Sequence, residues 1–185
     1  MKLKVLVAGV LTYLAVDMYG QGCSDAGFCT IDGFKPQADS TAFNNRVKVG
    51  ANIGAADYSI GIIGGYLEFN REISKRLSAD LKLTMLSQSG NSISVAGMSD
   101  LFLTFNYQTN EHLTLTAGAK VPLTDGNRKL NGLALPMDYQ SSLGTFDLIL
   151  GAGYAFGKLQ TVIAYQQPLV QNNNSFLASQ YASDS

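Results

Sequence analysis

Apolar and polar residues alternate with a period of two along most of the chain after residue 45. In RVKVGANI, every second side chain from Val47 to Ile53 is apolar, and the positions between them are polar or glycine. Because successive side chains of a strand point to opposite faces, this period predicts strands with one apolar face. The same period recurs further along the chain. The seven predicted strands are 46–53, 57–70, 77–85, 101–107, 112–121, 144–156 and 159–166.

The second predicted strand departs from a simple alternation. Ile60 and Ile62 have the parity of one face, whereas Leu67 and Phe69 have the parity of the other. An extra residue in one strand of a pair produces such a change. We therefore predict a β-bulge at Gly64–Gly65, with Ile60 and Ile62 on the apolar outer face.

The predicted connections differ in length. Three are short (REISKR, QTNE and GK), whereas SQSGNSISVAG and residues 122–143 are long. Short turns at one end, longer loops at the other and strands of about 9 to 11 residues are typical of outer-membrane barrels. Aromatic residues near strand ends favour the same reading, although alternation alone also fits a soluble sandwich. These aromatic residues are Tyr58, Phe69, Tyr107, Tyr154, Phe156 and Tyr165.

The pattern predicts an all-β protein, an antiparallel transmembrane β-barrel that is incomplete in this chain. Seven strands are an odd number, whereas single-chain bacterial barrels have an even number. We expect an unpaired edge at 159–167 and further strands in the native gene product, with 46–185 as the barrel segment. The alternative is a closed eight-stranded barrel in which 174–183 pair with 46–53.

The N-terminus has the plan of a secretory signal peptide. Lys2 and Lys4 precede an apolar run from Val5 to Val16, which is too short to span a bilayer as a helix. We predict a signal peptide at 1–20 and an exported lead at 21–45; the alternative is a buried N-terminal strand.

Two cysteines follow the predicted cleavage site. Export exposes Cys23 and Cys29 to an oxidising compartment, which favours a disulfide between them. Lipid attachment at Cys23 is the alternative. A metal site is the weakest reading, because His112 is the only histidine and lies far away in sequence.

Composition argues against several function classes. The formal net charge is −1 and only 15% of residues are charged, so no nucleic-acid partner is expected. The sequence contains no Gly-x-Ser-x-Gly nucleophile motif and no phosphate-binding loop. We expect no enzymatic activity and no cofactor, and the sequence does not predict an oligomeric state.

The candidate functional residues are the charged side chains that alternate with the apolar ones. In a barrel they would face the lumen and tune what passes. Alternatively, Lys82 or Lys120 pairs with Asp80 or Asp147, and the charges only close the barrel interior. The lumen-facing candidates are Arg46, Lys48, Asp80, Lys82, Lys120 and Asp147.

Three stretches carry a family resemblance: GMSDLFLTFNYQ (97–108), LTLTAGAKVPLTDGNRK (113–129) and SSLGTFDLILGAGYAF (141–156). Together they resemble the phenol-degradation meta-pathway or transporter-like family of outer-membrane barrels, related in architecture to fatty-acid transporters. The lead QGCSDAGFCT is similar to that of Bacteroidetes members. The matching positions are Gly97, Asp100, Leu101, Gly118, Lys120, Pro122, Leu143, Gly144 and Asp147.

This resemblance implies passive, porin-like passage of small hydrophobic molecules across the outer membrane. The implied partners are outer-membrane lipid and a small hydrophobic solute. Two alternatives from other classes remain. One is a small structural or adhesion barrel without transport, and the other is a soluble periplasmic β-sandwich that binds a ligand.

Overall fold

The described part of the chain is all-β. A computed structural model describes residues 45–56, 59–157, 159–170 and 172–180. The predicted signal peptide, most of the lead and the Cys23–Cys29 disulfide lie outside these residues. Seven strands form the main sheet: β1 (Asn45–Ala56), β2 (Ile60–Ser74), β3 (Leu77–Gly90), β4 (Ile93–Gln108), β5 (Leu113–Pro122), β8 (Asp147–Phe156) and β9 (Leu159–Pro168).

The seven strands form an antiparallel sheet that curls into a half-barrel. Their order in the sheet is their order in the chain, and each strand pairs with the next. A small hairpin of β6 (Lys129–Leu130) and β7 (Leu133–Ala134) lies in the connection between β5 and β8. The prediction of seven antiparallel strands is confirmed.

The two faces of the sheet differ in polarity, as the period of two predicted. One face, here called the outer face, carries exposed apolar side chains such as Val49, Leu103 and Ile163. The other, the inner face, carries buried polar side chains such as Glu68, Asp80 and Lys120. The burial of the inner face follows from the curl of the sheet and from the β5–β8 connection that covers part of it.

The predicted bulge at Gly64–Gly65 is wrong. The pairing of β2 with both neighbours is continuous through these glycines, and its register shift lies between Glu72 and Ser74. Ile60 and Ile62 therefore lie on the inner face. They are apolar there because they belong to a local cluster under the β5–β8 connection: Ile60, Val95, Leu135 and Tyr139 are buried, with Ala56, Ile62 and Ile93 packed against them.

A bulge does occur in β4. Leu83 pairs with Leu101 and Met85 with Met98, so β4 has one residue more than β3 between these pairs. The extra residue changes the parity of β4. As a result, Val95 and Ser99 face inward before the bulge, and Phe102, Thr104 and Asn106 face inward after it.

The predicted long loop SQSGNSISVAG is also wrong. β3 and β4 continue through it and are joined by a two-residue turn, Asn91–Ser92. Both residues have positive φ angles, 49° and 63°. Positive φ at both central positions is the geometry of a type I′ turn, which matches the twist of a hairpin. Polar residues occur on both faces of this hairpin, so its sequence lacks the apolar–polar alternation of a strand and is similar to that of a loop.

Ser92 offers a stability test of this turn. A non-glycine residue at positive φ is strained, so we expect Ser92→Gly to stabilise the protein by about 0.5–1 kcal/mol. Ser89→Gly, inside β3, should instead destabilise it by a similar amount, about 0.5–1 kcal/mol. Urea unfolding of both variants measures this difference, and equal effects would contradict the turn assignment.

The two edges of the sheet are unpaired within the described residues. There, β1 pairs only with β2 and β9 pairs only with β8. The predicted unpaired edge at 159–167 is therefore found. The described part of the alternative closing strand, residues 174–180, forms no ladder with β1. Instead, the Asn174 side chain donates to the carbonyl oxygens of Gly126 and Leu135 in the β5–β8 connection, at 2.9 and 3.1 Å.

Candidate functional site

One row of residues crosses the inner face in register from strand to strand. Lys48 on β1 pairs with Glu68 on β2, which pairs with Lys82 on β3; Phe102 on β4 comes next. The row continues through Lys120 on β5 to Asp147 on β8. This row is called here the charge row. Phe102 separates its two halves, and cations and anions alternate within each half.

The structure places all six lumen-facing candidates on the inner face. Arg46 and Lys48 are partly exposed, near one edge of the sheet. Asp80, Lys82, Lys120 and Asp147 are buried, each at most 2% exposed. Such burial means that these charges contact protein atoms rather than bulk water in the half-barrel, and each needs a partner.

Lys120 and Asp147 are partners of each other. The Lys120 Nζ lies 2.9 Å from Asp147 Oδ2, and both side chains are 1% exposed. Lys120 also donates to Thr145 Oγ1 at 3.0 Å, and the Gln166 amide donates to Asp147. This is one of the pairings that the sequence left open, and it joins β5, β8, β9 and the β5–β8 connection.

Asp80 is held by amides rather than by a cation. Asn70 and Asn106 each donate a side-chain hydrogen bond to one oxygen of the Asp80 carboxylate, at 2.5 Å. Thr116 donates to Asn106 at 2.7 Å. The hydrogen bonds run from β2 to β5 without a break, so the carboxylate stabilises four strands at once.

Two other contacts on the charge row are longer. Lys48 Nζ lies 3.9 Å from Glu68 Oε1, and the lysine is 29% exposed. Lys82 Nζ lies 4.4 Å from the centre of the Tyr66 ring, within the range of a cation–π contact. The Lys120–Asp147 pair is therefore closer and more fully buried than the Lys48–Glu68 pair.

Two inner-face carboxylates escaped the sequence analysis. Glu68 already has inward parity in the predicted register, because its neighbours Leu67 and Phe69 face outward, but it was not named as a candidate. Asp100 was noted only as part of a motif, although the bulge in β4 turns it inward, where it accepts a hydrogen bond from Ser142 Oγ at 2.6 Å.

The β5–β8 connection, residues 123–146, covers the inner face rather than extending away from the sheet. Its backbone accepts hydrogen bonds from side chains of the main sheet: Gln88 Nε2 donates to Gln140 O at 2.7 Å, and Ser99 Oγ donates to Ser141 O. Its own side chains bond back to the wall, and Tyr139 OH donates to Gly90 O at 2.9 Å. The hairpin signal Asn-Gly at 131–132 was visible in the sequence, but these contacts were not.

Tyr139 tests how firmly the connection is attached. Its hydroxyl also accepts a hydrogen bond from Asn91 Nδ2 at 3.3 Å. We expect Tyr139→Phe to destabilise the protein by about 1 kcal/mol, because the carbonyl oxygen of Gly90 loses its hydrogen-bond donor. Tyr107→Phe, which removes an exposed hydroxyl, is the matched control and should have no effect. The denaturant midpoints of the two variants are compared. Equal midpoints would mean that the connection is not held at Tyr139.

Two glycines of the family motifs have steric roles. A Cβ at Gly118 would overlap the carbonyl oxygen of Leu103 on the neighbouring strand. Gly144 has a φ of +70°, and a Cβ there would overlap the carbonyl oxygen of Asp125. Both positions therefore require glycine for the close approach of backbone to backbone.

The outer face is apolar over the middle of each strand, and its polar side chains lie towards the strand ends. Its most exposed side chains include Val49, at 79% exposure, and Ile53, at 85%. The predicted strand-end aromatics Phe69, Tyr107, Tyr154, Phe156 and Tyr165 are all exposed and share this face. Tyr58 lies outside the described residues.

Comparison with protein-family models, with curated proteins and with solved structures found no match to the chain. Within the described ranges, no helix has both the length and the apolar character that crossing a bilayer requires.

Proposed function

We propose that this chain forms part of the wall of an outer-membrane β-barrel. The observation that carries the proposal is the polarity of the sheet: charges are buried on the inner face, and large apolar side chains are exposed on the outer face. In water such a surface is costly, because soluble proteins rarely expose a continuous apolar patch of this extent. Against lipid tails it is the favoured arrangement.

A soluble sandwich accounts less well for the same polarity. In a sandwich the apolar face packs against a second sheet and the charged face meets water. Within the described residues the other sheet is only the two-stranded β6–β7 hairpin, and it does not cover the outer face. The charged face is buried instead, which favours the membrane reading.

The height of the apolar band supports the proposal. On β3 the outward positions from Leu77 to Met85 are all apolar, and Ser87 and Ser89 follow. Eight steps of about 3.3 Å, tilted by about 40°, cover roughly 20 Å, close to the ~25 Å band of outer-membrane barrels. The β3–β4 hairpin then extends beyond the band.

A closed wall needs partners for β1 and β9. Both edge strands run in the same direction, because five strands lie between them in an antiparallel order. Only an odd number of further strands pairs antiparallel with both edges. Each backbone group left unpaired in lipid would cost on the order of several kcal/mol.

For the activity, we propose passive passage of small hydrophobic molecules. This part rests on the family resemblance of 97–108, 113–129 and 141–156. The alternation of charge along the charge row supports it, since a lining without one dominant sign does not select for ions of either charge.

A second candidate is a structural or adhesion barrel without transport. The burial of Lys82, Lys120 and Asp147 favours it, because side chains that line an open water-filled passage would be exposed to that water. In this candidate the inner charges only hold the wall together.

Two measurements separate these functions. Extraction from membranes only with detergent, and flotation with vesicles, are expected for a barrel; release by salt or alkali would indicate the soluble sandwich. Flux of small apolar and polar solutes into liposomes then separates the two barrels. We expect faster entry of apolar solutes, whereas flux equal to empty liposomes would support the structural barrel.

A further inference from the structure

One charged side chain interrupts the apolar outer face. Among the outward positions of the seven described strands, Arg71 on β2 alone is charged. It shares the parity of Leu67 and Phe69, pairs with Ala79 of β3, and is exposed. Its guanidinium therefore lies at the surface that the proposed function assigns to lipid.

Two more cations lie beside it. Lys75 and Arg76 form the tight turn between β2 and β3, and both are exposed. Glu72, the carboxylate nearest in sequence, has inward parity, since it pairs with Ser78 of the inner face. Within the described residues, none of the three cations forms an ion pair with a carboxylate. The end of β2 and the turn thus present three exposed positive charges at this end of the sheet.

The position of these cations along the strand determines whether they lie in the bilayer core or at its interface. An arginine on a lipid-facing position is costly at the bilayer centre and nearly neutral at the interface. Arg71 lies between Phe69 and Ile73 near the end of the apolar band, so its aliphatic part can lie along the Phe69 ring while the guanidinium reaches the headgroups. A guanidinium offers two parallel donors that match a phosphate group.

We propose that Arg71, Lys75 and Arg76 bind the phosphate of an anionic glycerophospholipid. The inference rests on the proposed function and deepens it by naming a lipid contact. The site lies at the end of the sheet opposite the long β5–β8 connection. In barrels of this kind the long loops face outward and the short turns face the periplasm. Glycerophospholipids of the periplasmic leaflet are therefore the ligands, bound at the outer surface of β2.

The test compares two vesicle compositions. Protein is refolded into vesicles of phosphatidylcholine, or of phosphatidylcholine mixed with phosphatidylglycerol, and the urea midpoint is measured. We expect a higher midpoint with phosphatidylglycerol, and we expect R71Q/K75Q/R76Q to lose at least half of that increase. High salt should also reduce it, because interfacial charges are screened. K129Q, an exposed lysine in the β5–β8 connection, should keep the full increase.

Each outcome has a separate meaning. No increase in the unmodified protein, or a full increase in the triple variant, overturns the lipid site. An equal increase from inorganic phosphate added to phosphatidylcholine vesicles at constant ionic strength assigns the cations to free phosphate and also overturns it. Failure to insert into either vesicle would instead overturn the proposed membrane wall.

Discussion

Leu103→Arg should destabilise the membrane-inserted protein by about 2–4 kcal/mol, the cost of a cation on the lipid face near the bilayer midplane. Leu103 lies on the outer face of β4, in the middle of the apolar band, and is 41% exposed. In a soluble protein the same substitution at an exposed position is nearly neutral. Urea unfolding in lipid vesicles measures the difference.

Ser94→Arg is the matched control for this substitution. Ser94 lies on the same strand and the same outer face, but beyond the apolar band, opposite Ser89. The cost of a charge falls to about 0–1 kcal/mol near the interface, so this variant should lose little stability. Equal costs at the two positions would remove the depth dependence on which the membrane placement rests.

Lys120→Met should cost about 3–5 kcal/mol, because Asp147 would remain buried without its cation. The estimate follows from the 2.9 Å separation of the two charges and their near-complete burial. Lys129→Met is the control: this lysine is exposed in the β5–β8 connection, so a change of about 0.5 kcal/mol or less is expected.

The double variant Lys120→Met/Asp147→Leu separates a lost pair from a damaged fold. Removing both charges leaves no unpaired ion, so most of the stability should return. A double variant as unstable as Lys120→Met alone would contradict the assignment of the pair as the cause.

The outer face could be predicted from the sequence, whereas much of the inner face could not. A lipid-facing side chain needs only to be apolar, so Val47, Val49 and Ile53 reveal their face by period alone. Inner side chains depend on partners from other strands, which the period does not contain. Asp147 illustrates this: the period predicts that its carboxylate faces inward, but only the structure identifies Lys120 as its partner.

The misassigned elements share a physical cause. Ile60 and Ile62 are apolar on the polar face because the β5–β8 connection folds over them. The hairpin at Asn91–Ser92 looked like a loop because its strand ends are polar on both faces. At Ile60 and Ile62, a tertiary contact determines the residue type. At the hairpin, the position outside the apolar band determines it.

The most direct test of the membrane wall compares Val162 and Ile163. These neighbours on β9 are both apolar, β-branched and exposed, but Ile163 faces outward and Val162 inward. A fluorophore is attached to Ile163→Cys or Val162→Cys, with both native cysteines replaced by serine, in vesicles that contain brominated lipid. We predict strong quenching at 163 and weak quenching at 162; equal or reversed quenching would contradict the account.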